Sequence, residues 1–410
     1  MTMPPVSATA SSALPFSRER FFRDYLGGRL KLFEAGSLTV VLPNGRLIQH
    51  RGSRPGPSAT ILVKRWRLLW KLLGEGEIGL ARSYVDGDWS SPDLAAVLEF
   101  GLANEKAISV ATKGFGLAHA LNRVSHFRNS NTRRGSRRNI AAHYDLGNAF
   151  YSQWLDPELI YSSAIFEDGS ESLEAAQDRK LARIVELMEI EGGERVLEIG
   201  CGWGSLARKL VASGSGSVTG ISLSQEQIAH ARASLADLPQ ASQIEFELRD
   251  YRSVEEQYDR IVSIEMIEAV GERYWPVYFE KLRRSLKDDG SVVLQIISIS
   301  EDLYDSYRQR PDFIQRYIFP GGMLPTIEIV QKQAAQAGFQ IDVHQPFGDS
   351  YAKTLDIWHE RFNANWDQIA TLGFDDRFRR MWNYYLKYCS TGFRHGAIDV
   401  GLFKLTPVPG

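Results

Sequence analysis

Residues 196–204 read Val-Leu-Glu-Ile-Gly-Cys-Gly-Trp-Gly, and a helical pattern begins directly after them at Ser205. An apolar run that ends in glycines at alternate positions, Gly200, Gly202 and Gly204, is the strand-to-helix turn of a nucleotide-binding α/β domain. Without side chains the backbone there can approach a ligand closely. A dinucleotide fingerprint is G-x-G-x-x-G, and here the third glycine comes one residue early. The next apolar run, 217–221, leads into Ser222, where an NAD site needs a carboxylate for the ribose. Both departures favour S-adenosylmethionine (AdoMet) over NAD. The competing reading is a glycine-rich turn with no ligand.

Around this turn, residues 139–410 alternate apolar runs with helical patterns. Seven strands are predicted at 194–199, 217–221, 244–248, 260–264, 291–297, 339–344 and 400–405. Such alternation predicts an α/β, doubly wound, seven-stranded Rossmann-like sheet with ligands at the carboxyl ends of its strands. Upstream, residues 19–121 read as a smaller α+β domain. Asn44-Gly45 between two apolar runs marks a hairpin, a further strand follows at 59–63, and 65–73 and 94–100 look helical. Residues 1–18 form a tail rich in Ser, Ala and Pro, expected to be disordered and lacking the basic start of a secretory signal. Residues 122–138 form a linker with six arginines and no acid. Such a stretch is either a solvated connector or a patch for anionic lipid head groups.

The 410 residues carry a formal net charge of −2, which gives no case for nucleic acid as a partner. Two cysteines, Cys201 and Cys389, exclude a disulfide framework or a thiolate metal cluster, and no metal site is expected. No apolar run of about 18 residues occurs, so no membrane span is predicted, and the chain fits a cytoplasmic, reducing compartment.

Several side chains can carry chemistry. Gly200, Gly202 and Gly204 are expected to wrap the methionine and ribose of AdoMet. Ser224 reads as a helix N-cap, and Gln227, one turn in, can donate to and accept from ribose hydroxyls. Asp250 and Tyr251 follow the third strand, where a carboxylate holds the adenine amine and a ring stacks on it; a turn residue and a core tyrosine are the alternatives. Glu265 and Glu268 leave the fourth strand at spacing i, i+3 and so share one side of a turn. Residues 304–324 hold Tyr304, Tyr307, Phe313, Tyr317 and Phe319, which either pack a lid or line an apolar substrate channel.

These residues resemble one family closely, the cyclopropane-fatty-acyl-phospholipid synthases with the related mycolic acid cyclopropane synthases. The resemblance rests on His143-Tyr-Asp-Leu-Gly-Asn148, Leu155-Asp-Pro157, Tyr161-Ser162, the 196–204 turn, Leu223-Ser224 with Gln227, Tyr317-Ile-Phe-Pro-Gly321, Leu324-Pro325, Tyr351 to Leu355, and Tyr384-Tyr-Leu386 with Cys389. It implies addition of one carbon from AdoMet across a cis double bond of an acyl chain in a membrane phospholipid, giving a cyclopropane. The enzyme would be peripheral on the inner face of the membrane. The N-terminal domain would dock lipid, pair subunits into a homodimer, or both. The resemblance adds Tyr161, Ser162, Glu198, Trp203, Ser222, Leu223 and Arg252 to the AdoMet site. It also implies a bound bicarbonate as base, in a pocket that includes Ile297 and matches at Glu268 and Tyr351. The pocket departs from the family at Ser163, where the family has Cys, and at Gln295, where it has His. Ala269 also replaces a His. These departures keep two further readings open: methylation of the same double bond to a methylene branch, and a lipid-binding protein with a lapsed site. Cys389 aligns with a cysteine once expected to be a nucleophile, but no histidine base is evident beside it and alkene alkylation needs no covalent enzyme intermediate.

Overall fold

The computed structural model describes residues 28–111, Gly135 and 146–408. The tail 1–18, the linker 122–138 apart from Gly135, and His143 to Asp145 of the first family motif lie outside the described residues. Contacts divide the chain into two compact units at Phe115/Gly116.

The N-terminal unit is a four-stranded sheet in the order β2-β1-β3-β4: β1 (Ala35–Val41), β2 (Leu47–Arg51), β3 (Arg54–Val63) and β4 (Trp89–Ser90). The hairpin expected at Asn44-Gly45 joins β1 to β2, with Gly45 at φ 81°. Helices α1 (Arg67–Glu75), α2 (Glu77–Val85) and α3 (Leu94–Ala103) accompany the sheet. Leu68, Leu69, Val97, Phe100 and Trp89 close a core against alternate residues of β1. Asp88 is fully buried but ion-paired with Arg67 and with Lys71 at 2.7 Å, which makes its burial tolerable.

The second unit is a mixed seven-stranded sheet in the order β10-β11-β9-β8-β5-β6-β7. Its strands are β5 (Arg195–Ile199), β6 (Ser217–Ser222), β7 (Ile244–Leu248), β8 (Tyr258–Ile264), β9 (Leu286–Ile299), β10 (Phe339–Pro346) and β11 (Ile398–Pro407). All seven predicted strands are present. Pairings from β7 through β9 are parallel, and β11 joins β9 and β10 antiparallel. Period-2 alternation sends Leu197, Ile261, Val292 and Leu294 to one face and Val196, Val262 and Val293 to the other. The first face packs α7 (Trp275–Ser285) and the second packs α4 (Leu173–Met188) and α5 (Ser205–Ala212). Strand order reverses between β5 and β8, so the crevice opens at their carboxyl ends.

The third glycine of the turn differs from the first two. Gly204 sits at φ 96°, and a Cβ there would lie 3.0 Å from Phe246, 3.1 Å from Ala231 and 3.2 Å from Leu235. It therefore lets α5 close on β7 and α6 (Gln225–Ser234) rather than wrapping a ligand. A Gly204→Ala chain is expected to lose about 1–3 kcal/mol of stability from strain and overpacking. Urea denaturation would measure the loss, and AdoMet titration of the folded protein should show little change.

Candidate active site

At the carboxyl ends of β5, β6 and β8 lies a cavity of about 180 Å³. Gly200 and Gly202 form its floor at positive φ, and a Cβ at Gly202 would meet no atom within 4 Å. Tyr161, Ser162, Glu198, Trp203, Ser222, Leu223, Gln227, Tyr251 and Arg252 line it, as does Arg249, which the sequence reading passed over. Ser224 caps α6 by accepting from the Gln227 N–H at 3.3 Å, and Ser222 Oγ donates to Gln227 Oε1 at 2.9 Å. The glutamine is thereby held with its amide nitrogen left to offer. Gly204 and Asp250 are not among the lining residues. Gly204 is packed as described, and the Asp250 carboxylate turns to Arg252, accepting from its guanidinium at 2.8 and 2.6 Å.

The donor set fits AdoMet. Glu198 Oε2 is buried on the cavity wall and accepts no hydrogen bond from the described residues. Burial pushes this carboxyl up to about 8 despite the Lys180 charge. Lys180, on α4, is 1% exposed and donates to Ser162 Oγ at 2.8 Å. Burial pulls its ammonium down to about 8, with Glu265, Asp156 and Glu198 opposing.

Glu265, also in the lining, follows the end of β8 with φ 48°, in the left-handed region. Its Oε1 accepts the Ser163 N–H at 2.9 Å and Gln295 Nε2 at 2.7 Å; its Oε2 accepts the Tyr351 hydroxyl at 2.7 Å. Its own N–H donates to the Gln295 carbonyl at 2.8 Å. Glu268 lies on the next turn, where Oε1 accepts the Ile297 N–H at 2.6 Å. Glu268 Oε2 is buried and accepts nothing from the described residues. Burial pushes both carboxyls up. The Ser163 N–H, Tyr351, Lys180 and Gln295 pull Glu265 back, whereas the Glu265 charge pushes Glu268 further, to about 8.

The five residues that the resemblance assigned to an anion pocket thus come together, but their donors are already spent. Ser163, Gln295 and Tyr351 hold Glu265, and Ile297 holds Glu268. A bicarbonate among them would have to displace Glu265 and place a further anion beside its carboxyl group. The pocket does not fit bicarbonate.

Beside the cavity, Tyr161 is enclosed by rings. Tyr151 and Trp154 lie at 5.5 Å and Trp358 at 5.4 Å, and its hydroxyl meets that of Tyr385 at 2.8 Å. Tyr151 also packs on Trp203 at 5.2 Å. The sequence reading looked to 304–324 for the aromatic residues of a lid or substrate channel and passed over Tyr151, Trp154 and Trp358. That segment instead forms α8 (Glu301–Gln309) and α9 (Phe313–Tyr317). Phe313 is buried against Tyr384 at 4.6 Å and Tyr317 at 5.2 Å, Phe319 faces Tyr385 at 6.1 Å, and Tyr307 packs on the core. None of the four lines the AdoMet cavity. Burial and the Asp312 charge push the Cys389 thiol far up, which leaves no thiolate for a nucleophile at neutral pH.

Glu268 gives a pH signature. Its folded value of about 8 lies above the ordinary carboxylate range, so between the two the folded chain keeps a proton that the unfolded chain releases. That contribution to stability falls as pH rises through this window. Glu268→Gln removes it. The thermal midpoint of the variant, compared with the unsubstituted protein, is expected to shift in the variant's favour from pH 5 to pH 8. A constant gap across this range would refute the assignment.

Comparison with known proteins places this geometry. The family described as mycolic acid cyclopropane synthetase matches residues 131–403. Tuberculostearic acid methyltransferase UfaA1 of Mycobacterium tuberculosis is 38% identical over 372 residues, 87% of this chain and 86% of that protein. Cyclopropane-fatty-acyl-phospholipid synthase of Escherichia coli K12 is 36% identical over 368 residues, 87% of this chain and 89% of that protein. A crystal structure of mycolic acid cyclopropane synthase CmaA1 complexed with SAH and CTAB superposes with a TM-score of 0.62 at 32% identity, covering 66% of this chain and 97% of that one. With two thirds of its length matched and its sheet superposed, the chain belongs to the mycolic acid cyclopropane synthetase family.

Proposed function

We propose that the protein transfers the sulfonium methyl of AdoMet to one carbon of a cis double bond in an unsaturated acyl chain of a membrane phospholipid. The observation that carries this reading is the presence of two unlike groups in the lining of one cavity: the ring-enclosed Tyr161, and Glu265, whose carboxylate accepts three hydrogen bonds. An alkene is a weak nucleophile, and its alkylation leaves a carbocation. Aromatic faces and a fixed anion are what lower the energy of such a cation in a dry site. AdoMet, when bound, supplies the electrophilic methyl group. Gly200 and Gly202 let it sit close to the backbone, and Gln227 and Glu198 offer polar partners for its ribose and methionine ends.

A cation of this kind ends by losing a proton. Loss from the new methyl group with ring closure gives the cyclopropane. A hydride shift before that loss gives a methylene branch instead. The likeness to a relative named tuberculostearic acid methyltransferase, together with Gln295 in place of a histidine, favours keeping the second product beside the first.

We read the protein as peripheral on the cytoplasmic face of the membrane, meeting lipid head groups through the arginines of 122–138. None of the described helices is long and apolar enough to cross a bilayer. Incubation with AdoMet and vesicles of oleoyl phospholipid is expected to yield fatty esters heavier by one CH₂ unit in mass spectrometry. Proton NMR then separates ring from methylene. Absence of any heavier ester, with AdoMet bound in calorimetric titration, would overturn the alkene reading. Absence of AdoMet binding as well would point to a lapsed site.

A further inference from the structure

Glu265 is held in a conformation that its side chain resists. A left-handed φ crowds the Cβ of any residue but glycine. Such an outlier persists when surrounding contacts over-determine it. Here the contacts come from three distant segments: the Ser163 N–H before α4, Gln295 on β9, and the Tyr351 hydroxyl on the helix Gly348–Ala364. All three point donors at one carboxylate, and Glu265 is among the residues that line the AdoMet cavity. Ser163, Gln295, Ile297, Glu268 and Tyr351 do not line it; they stand behind Glu265.

We infer that Glu265 is itself the proton acceptor of the transfer, a base supplied by the chain, so that turnover needs no dissolved anion. The inference rests on the alkene-methylation reading for the class of reaction. The step balances as follows. The alkene π pair forms a C–C bond to the methyl carbon, and the S–CH₃ pair returns to sulfur. The cation then gives up a C–H proton to a Glu265 oxygen. The released C–H pair closes the ring or, after a hydride shift, forms the methylene double bond. Glu265 is left as a carboxylic acid and returns its proton to water before the next cycle.

The cavity wall holds two carboxyl groups, Glu198 and Glu265. Glu198 accepts no donor at Oε2, and burial biases it toward its neutral form. Glu268 has one donor, stands behind the wall and is biased the same way by its neighbour's charge. Glu265 has three donors, each favouring its ionised form. It is thus the group best kept charged to receive a proton and to face a cation.

The test compares the full-length protein with Glu265→Gly and Glu265→Gln. Glycine suits the backbone at this φ and empties the seat; the glutamine amide fills it. The unsubstituted protein is expected to turn over at rates equal within about twofold in CO₂-free and bicarbonate-supplemented buffer. Glu265→Gly should lose about 100-fold or more, and bicarbonate or formate should restore at least about tenfold of that loss. Glu265→Gln should lose as much and recover nothing. AdoMet affinity, by calorimetry, should stay within about threefold in both variants. A readout independent of turnover is ¹³C NMR of labelled bicarbonate, which should bind Glu265→Gly and not the unsubstituted protein.

The inference is overturned if the unsubstituted protein needs bicarbonate or binds it as tightly as Glu265→Gly. It is also overturned if Glu265→Gln turns over near the normal rate, or if Glu265→Gly binds AdoMet and bicarbonate but is not rescued. If no unsaturated phospholipid yields product, the substrate reading fails, and the bicarbonate-binding comparison still judges Glu265.

Discussion

The removal of carboxyl groups from bulk water governs this structure. Glu198, Glu265 and Glu268 crowd the tips of β5 and β8, with one buried ammonium, Lys180, acting on the first two. Moving an ion into such surroundings costs several kcal/mol unless partners replace the lost water. The partners differ in number, and the difference sorts the groups. Glu265 receives three hydrogen bonds and the field of Lys180; Glu268 receives one and faces a like charge. Burial pushes both carboxyls up, and Glu268 has fewer donors to oppose that push than Glu265, so the same residue type is biased differently at two neighbouring positions.

The aromatic wall serves the same end by different physics. Rings exclude water from the cavity rim and present negative faces to a positive charge. Tyr151, Trp154 and Trp358 are each buried, and together they fix the orientation of Tyr161. Its hydroxyl is pinned by Tyr385, so the ring cannot swing away as a chain enters.

Much of the fold was legible because its signals are local. Apolar runs with period two gave all seven strands of the large sheet, and Asn44-Gly45 gave the hairpin. Alternate glycines look alike in one dimension; what separates the third is Phe246, some forty residues on. The ion pair of Asp250 with Arg252, two residues away, is a local feature that spacing does not reveal. The pairing of Glu265 with Glu268 was visible as spacing. The seat of Glu265 was not, because it depends on a backbone angle and on donors 102, 30 and 86 residues distant in sequence. The ring cage around Tyr161 stayed hidden for the same reason: Trp358 reaches it from a helix that spacing cannot orient.

Strand β9 touches both acids. Gln295 binds Glu265 through side chain and carbonyl, and the Ile297 N–H binds Glu268. The same two residues lie opposite Leu402 and Val400 in the antiparallel ladder to β11. The C-terminal strand is therefore a tuning peg for the chemistry: a change in its packing that never reaches the cavity would tighten or slacken both acids together, offering a route to drift in product or pH range without altering any residue that meets the lipid.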